Sequence, residues 1–114
     1  MDNYKELVNK AKFYLDKELD IVTNLANLSA HINEHLDRVN WVGFYLYNGE
    51  ELYLGPFQGK PACVSIKLGS GVCGVSALER KTLIIDDVHK FTGHITCDSV
   101  SESEIVVPIV KKNG

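Results

Sequence analysis

The chain has 114 residues, of which 45% are hydrophobic and 24% are charged, and its formal net charge at pH 7 is -3. This composition predicts one globular domain over residues 1–114 and excludes a disordered tail. The acidic balance leaves no basic stripe that could displace counterions from a phosphate backbone, so no nucleic-acid partner is expected.

No segment has the character of a membrane anchor or a secretion signal. The N-terminus lacks the apolar core of a signal peptide, and the longest apolar run, Ile105 to Val110, is too short to cross a bilayer. We therefore expect a soluble, cytoplasmic protein that has no membrane partner.

Three cysteines, Cys63, Cys73 and Cys97, are the main chemical feature of the composition. Their odd number does not suit the disulfide framework of a small secreted domain. In a reducing compartment they are better interpreted as thiols that take part in chemistry. The alternative is that each is a small, buried and inert side chain.

Two amphipathic helices are predicted in the first forty residues. Apolar residues recur at helical spacing from Tyr4 to Leu15, with Lys and Glu on the other face. A second helix is predicted from Asp20 to about Asp37, with Asp20 as its N-cap. His31 and His35 lie one turn apart on this helix, but no third ligand at suitable spacing accompanies them. The pattern therefore favours a solvated helix face over a metal site.

A β-hairpin is predicted next, because a β-branched and aromatic run from Trp41 is followed by Asn48-Gly49 and a second, shorter run. Strand alternation puts Trp41, Gly43 and Tyr45 on one face. Two aromatics about 13 Å apart, with a glycine between them, would leave a gap for a small ligand that carries a cationic or soft sulfur group. The alternative is that these aromatics pack beneath the N-terminal helices.

Shorter elements follow the hairpin. A strand is predicted near Ala62–Lys67, and Cys63 lies at its start. A glycine-rich break then begins a short helix with Cys73 in its first turn, where a helix N-terminus can lower the pKa of a thiol. Another short strand is predicted at Thr82–Ile85.

The stretch from Phe91 to Val110 organises the rest of the chain. It places Cys97 in a polar, acidic loop that leads into a strand predicted from Glu104 to Val110. The closing Lys111–Gly114 has the character of a hairpin turn, so a returning strand is expected and the last strand is missing. Together the elements predict an α+β domain with two N-terminal helices, an antiparallel sheet, and a short helix with loops on the other face of that sheet.

From Asn40 to Ile109 the sequence resembles the free methionine-(R)-sulfoxide reductases, which are single-domain GAF enzymes. The matching segments are NWVGFYL, LGPFQGKPAC, GVCG and DVHKFTGHITCDSVSESEIVVPI, and the cysteines have the family's separations of ten and then twenty-four residues. The resemblance implies a GAF-like antiparallel sheet and a substrate, free L-methionine-(R)-sulfoxide, that is reduced to L-methionine.

The resemblance also implies a role for each cysteine. Cys97 corresponds to the nucleophile that takes the oxygen and becomes a sulfenic acid. Cys63 corresponds to a thiol that resolves the sulfenic acid as a disulfide, and Cys73 corresponds to an auxiliary recycling thiol. Thioredoxin is the implied reductant of the disulfide, and no cofactor or metal is expected.

Three further residues correspond to the family's substrate pocket. Trp41 and Tyr45 match aromatics that line it, and Glu104 matches an acid that contacts the substrate. Sulfoxide reduction needs a thiolate to attack sulfur and a proton for the departing oxygen, and Cys97 with Glu104 would be that minimum set. By chemistry alone, either Cys63 or Cys73 could then clear the sulfenic acid if the fold brings it close.

Other hypotheses remain open. A ligand-binding GAF module would need the pocket but not the thiols. An inactive fragment of the reductase is a second option, because the family's chain continues into a strand with two further acidic pocket residues. A structural zinc site would use Cys63, Cys73, Cys97 and His94, although no C-x-x-C pair is present. An open sheet edge could pair with a second copy, so a homodimer is one candidate assembly.

Overall fold

The computed structural model describes residues 4–86 and 103–110 of the chain. The described residues form the following elements: α1 (Tyr4–Ala11), α2 (Ile21–His35), β1 (Trp41–Tyr47), β2 (Glu51–Gly59), β3 (Ser65–Lys67), α3 (Gly71–Glu79), β4 (Leu83–Ile85) and β5 (Glu104–Val106). Strands β1, β2 and β3 form a sheet in that order, and β4 pairs with β5 in an antiparallel arrangement. The predicted α+β class is confirmed. Within the described ranges, no helix is long and apolar enough to cross a membrane.

The chain divides into two compact units. Unit 1 lies within Met1–Leu46 and Leu54–Pro61, and unit 2 lies within Tyr47–Tyr53 and Ala62–Gly114. Helices α1 and α2 therefore belong to unit 1, whereas α3, β3, β4 and β5 belong to unit 2.

The first two helices are shorter than the sequence predicts. Helix α1 ends at Ala11, four residues before the predicted end, and the chain then tightens so that the N–H of Phe13 donates to the carbonyl oxygen of Lys10 at 3.1 Å. Helix α2 begins where it was predicted to begin, because the Asp20 carboxylate accepts a hydrogen bond from the backbone N–H of Val22 at 2.8 Å. The Asp20 N-cap is thus confirmed.

His31 joins the two helices of unit 1. It is only 3% exposed, and its Nε2–H donates to the carbonyl oxygen of Leu7 in α1, 2.8 Å away. The Nδ1–H of His35 donates to the carbonyl oxygen of His31 at 2.9 Å, and the two rings are 4.3 Å apart. The prediction of a solvated face is therefore wrong for His31, because a polar ring that satisfies a backbone carbonyl can be buried between helices.

Ser29 fixes α2 against the part of β2 that belongs to unit 1. Its side chain is completely buried, and its Oγ lies 2.8 Å from the carbonyl oxygen of Leu25 and 3.2 Å from that of Pro56. A hydroxyl with two nearby acceptors is well satisfied in a buried position. A small polar residue therefore sets the distance between this helix and the strand.

The predicted hairpin is confirmed, and its turn follows from the chemistry of Asn48-Gly49. The Asn48 Oδ1 accepts from the backbone N–H groups of Glu50 and Glu51 at 2.9 and 3.0 Å. Gly49 has φ +101°, a conformation that side chains disfavour. The side-chain cap and the glycine together close the turn between β1 and β2.

Unit 2 is built around a small apolar core of Leu52, Ile66 and Val72, each less than 8% exposed. Leu52 and Ile66 are paired across β2 and β3, and α3 packs against β3, β4 and β5. Strand β3 begins at Ser65, so Cys63 lies just before the strand rather than at its start. Strand β5 ends at Val106 rather than at Val110, which agrees with Pro108 lacking the N–H that a strand pairing needs.

Candidate active site

Trp41 is the centre of an aromatic cluster in unit 1. Its ring stacks on Phe57, with centroids 5.4 Å apart and planes 16° apart, and on Tyr45, at 6.2 Å and 24°. The indole Nε1–H donates to the carbonyl oxygen of Lys60 at 3.2 Å. Tyr45 of β1 and Phe57 of β2 therefore hold the Trp41 ring by stacking, and the backbone just after β2 holds it by a hydrogen bond.

Gly43 lies beneath this cluster, and the gap predicted at this position is closed. A Cβ atom at Gly43 would lie 2.8 Å from the Trp41 Cη2 atom and would overlap the Cβ atom of Phe57. The indole leans along the strand over the glycine, so that its centroid lies much closer to that of Tyr45 than the spacing of the two residues along the strand would give. Trp41 and Tyr45 thus come together as predicted for one face, but without an empty space between them.

Cys63 and Cys73, both in unit 2, differ in their chemical state. Cys63 is half-buried and disulfide-bonded, whereas Cys73 is a free thiol in the first turn of α3. A cysteine that forms a disulfide can take part in thiol–disulfide exchange. The two cysteines are therefore not equivalent, which sequence reasoning alone could not decide.

Burial raises the pKa of the Cys73 thiol from its usual value of 9.0 to about 12, and the negative charge of Glu104 adds to this effect. The lowering of the pKa that a helix N-terminus can produce is therefore not seen at Cys73. Loss of hydration penalises a thiolate, and a nearby carboxylate repels it. At neutral pH the Cys73 thiol therefore stays protonated, and it is a poor nucleophile in this state.

Glu104 begins β5, where it pairs with Ile85 and is half-buried. Since β5 packs against α3, the carboxylate is near enough for its charge to act on Cys73. The structure thus brings together two of the predicted site residues in unit 2.

Cys97, the predicted nucleophile, lies outside the described residues, as does His94 of the zinc hypothesis. In the part of the chain that is described, no three His, Cys, Asp or Glu side chains are arranged to hold a metal ion. Phe57 was not identified from the sequence, although it lies within the matching segment LGPFQGKPAC. No local sequence pattern singles out Phe57, because its stacking partner, Trp41, lies on the preceding strand.

Comparisons with known proteins identify close relatives, although no family model matches the chain. The free methionine-R-sulfoxide reductase of Escherichia coli is 47% identical over 116 residues, which cover 93% of this chain and 70% of the relative. The structure of fRMsr of Staphylococcus aureus in its reduced form superposes with a TM-score of 0.93 at 51% identity, covering 99% of this chain and 73% of that one. The free methionine-R-sulfoxide reductase of Neisseria meningitidis, solved in complex with its substrate, superposes with a TM-score of 0.90 at 41% identity. The match covers 96% of this chain and 66% of that one.

Proposed function

This chain belongs to the free methionine-(R)-sulfoxide reductases, oxidoreductases with a GAF fold, and from that premise we propose that it reduces free L-methionine-(R)-sulfoxide to L-methionine. The observation that carries the proposal is the similarity to the N. meningitidis reductase, which was solved with its substrate bound. The residues of this chain that match the family's motifs take the roles given below.

The first step of the proposed reaction transfers the oxygen atom to Cys97. Its thiol attacks the sulfoxide sulfur, so the substrate gains two electrons and the Cys97 sulfur loses two to become a sulfenic acid. Glu104 contacts the substrate and handles the proton of the departing oxygen. Trp41 and Tyr45, which stack on each other with no gap between them, would together form one wall of the substrate pocket, where aromatic rings suit a soft sulfur group.

In the second step Cys63, rather than Cys73, resolves the sulfenic acid. The Cys63 thiol attacks the sulfenic acid, a disulfide forms, and the oxygen leaves as water. Two observations support this choice: Cys63 is disulfide-bonded, and the raised pKa of Cys73 leaves that side chain protonated. Cys73 is then an auxiliary recycling thiol.

Thioredoxin completes the proposed cycle. Its dithiol supplies the two electrons and two protons that reopen the disulfide, so that net turnover consumes one dithiol for each methionine formed. We propose the cytoplasm as the compartment of this reaction, because a reducing environment keeps such thiols available. The two compact units would act together as one domain over residues 1–114, either as a monomer or as a homodimer.

A thioredoxin-coupled assay with the separate R and S sulfoxides of free methionine tests this proposal. We expect the R epimer to be reduced at least about 100-fold faster than the S epimer, because a shaped pocket distinguishes the two by several contacts. The chain would be assayed alone and extended by the C-terminal segment of the S. aureus relative, with the E. coli enzyme as positive control.

Cys97→Ser is expected to abolish turnover in whichever form is active. If neither form consumes thiol with the R sulfoxide while the E. coli enzyme does, the proposal is wrong. Binding of methionine in such a protein would instead support a ligand-binding GAF module.

A further inference from the structure

Phe57 makes a closer ring contact with Trp41 than Tyr45 does. Its centroid is 5.4 Å from that of the indole, and the two planes are within 16° of parallel. Offset stacking at this distance is a favourable arrangement that contributes beyond simple burial. Phe57 is therefore placed to determine the orientation of the Trp41 ring.

Two further features restrict the indole in unit 1. Its Nε1–H is bound to the carbonyl oxygen of Lys60, at the end of the same chain segment that carries Phe57. A Cβ atom at Gly59 would lie 2.7 Å from the Trp41 Cδ1 atom, and Gly59 also has φ +140°, which other residues rarely adopt. Glycines on its own strand, Gly43, and on the neighbouring strand, Gly59, thus leave space for the indole, and the neighbouring strand also supplies the ring of Phe57.

We propose that Phe57 is a positioning residue that acts through Trp41 to set the affinity for the substrate. This inference rests on the proposed function, in which Trp41 lines the substrate pocket. An indole fixed before binding loses less conformational freedom when the substrate arrives. Removing the stacked ring should therefore weaken binding more than it slows the chemical step.

The test compares Phe57→Leu with Phe57→Tyr in the thioredoxin-coupled assay, using the form of the protein that is active. Phe57→Leu is expected to raise KM for the R sulfoxide about 3- to 10-fold with less than about a 2-fold change in kcat, a range that corresponds to one aromatic stacking contact. Phe57→Tyr keeps the ring and is expected to stay within about 2-fold of the wild-type KM.

A spectroscopic signal follows the same change independently of activity. The chain contains a single tryptophan, so its near-ultraviolet circular dichroism and its fluorescence report on Trp41 alone among indoles. Phe57→Leu should alter both spectra, whereas Phe57→Tyr should largely preserve the Trp41 signals.

Matched controls separate positioning from a general loss of stability. Phe13→Leu makes the same replacement at a side chain that is 86% exposed, and Ile66→Val mildly weakens the core of unit 2. Both should leave KM unchanged. A wild-type KM in Phe57→Leu, or an equal rise in Ile66→Val, would overturn the assignment while leaving the proposed function intact. Absence of turnover in the wild type, with the E. coli enzyme active, would overturn both.

Discussion

At the scale of single residues, the chemistry of Cys73 is set by burial rather than by its position in a helix. A helix N-terminus stabilises a nearby anion by up to about 2 kcal/mol in a partly buried site, which would lower a pKa by about 1.5 at most. Desolvation and the charge of Glu104 act in the opposite direction and raise the pKa of Cys73 to about 12. The sequence shows where the helix begins, but it cannot show how much water reaches the thiol.

The raised pKa predicts an unusual pH dependence for alkylation of Cys73. Only the thiolate reacts, so in the native protein the rate with iodoacetamide should keep rising about tenfold per pH unit from pH 8 to pH 11. In the urea-unfolded chain the rate should level off above pH 9, because the exposed thiol then has its ordinary pKa of 9.0. Mass spectrometry of the Cys73 peptide measures both rates, and a native profile that levels off near pH 9 would contradict the assignment of a raised pKa.

Residue identity alone predicted some features of the fold and of the site and not others. Asp20 and Asn48 act on backbone groups two or three residues away, so their roles could be derived from local chemistry. His31 and Phe57 act on residues that are distant in sequence, Leu7 and Trp41, and no local pattern announces such contacts. Prediction therefore succeeded where the partner is near in the chain.

At the scale of elements, α3 approaches β3 so closely that its fourth residue has to be glycine. A Cβ atom at Gly74 would overlap the carbonyl oxygen of Lys67 and would lie 3.2 Å from the backbone nitrogen of Gly69. The backbone N–H of Gly69 also donates to the carbonyl oxygen of Gly74 at 2.8 Å. The position of α3, and with it that of Cys73, depends on this close backbone contact.

Gly74→Ala provides a test in which two effects have opposite signs. Helix propensity alone would stabilise the protein by about 1 kcal/mol, because alanine is the better helix former. The overlap with Lys67 should instead lower the free energy of unfolding by about 1–3 kcal/mol. Urea denaturation followed by circular dichroism distinguishes the two, and an unchanged or higher stability would show that α3 does not approach β3 this closely.

The strand predictions were correct in kind but too long in extent. Apolar character continues from Val107 to Val110, yet β5 has only three residues, because its pairing with β4 ends at Val106 and Pro108 has no N–H to extend it. The side chains of Ile84 and Ile105, which are partners across this pair, are 71% and 62% exposed. Hydrophobic runs thus predicted where the strands lie, whereas pairing with the neighbouring strand determined the length of each strand.

At the scale of the whole molecule, the family could be identified from the sequence because its motifs combine three cysteines with long matching segments. The 47% identity to the E. coli enzyme and the TM-score of 0.93 to the S. aureus structure confirm that resemblance. The α+β class followed from periodicity, since two helical patterns precede a series of short alternating runs. The choice between Cys63 and Cys73 as the resolving thiol did not follow from residue chemistry alone, because it depends on contacts among residues far apart in the chain.

The most direct test of the proposed chemistry is a single turnover of fully reduced protein with the R sulfoxide and no added reductant. The mechanism predicts one methionine released per active chain and a disulfide that joins Cys63 to Cys97, with the Cys73 thiol still open to alkylation after unfolding. Measurement of methionine gives the amount released per chain, and disulfide mapping of the acid-quenched protein identifies the cysteines that are joined. Release of methionine by Cys97→Ser at the wild-type yield would contradict the role of Cys97 as the oxygen acceptor.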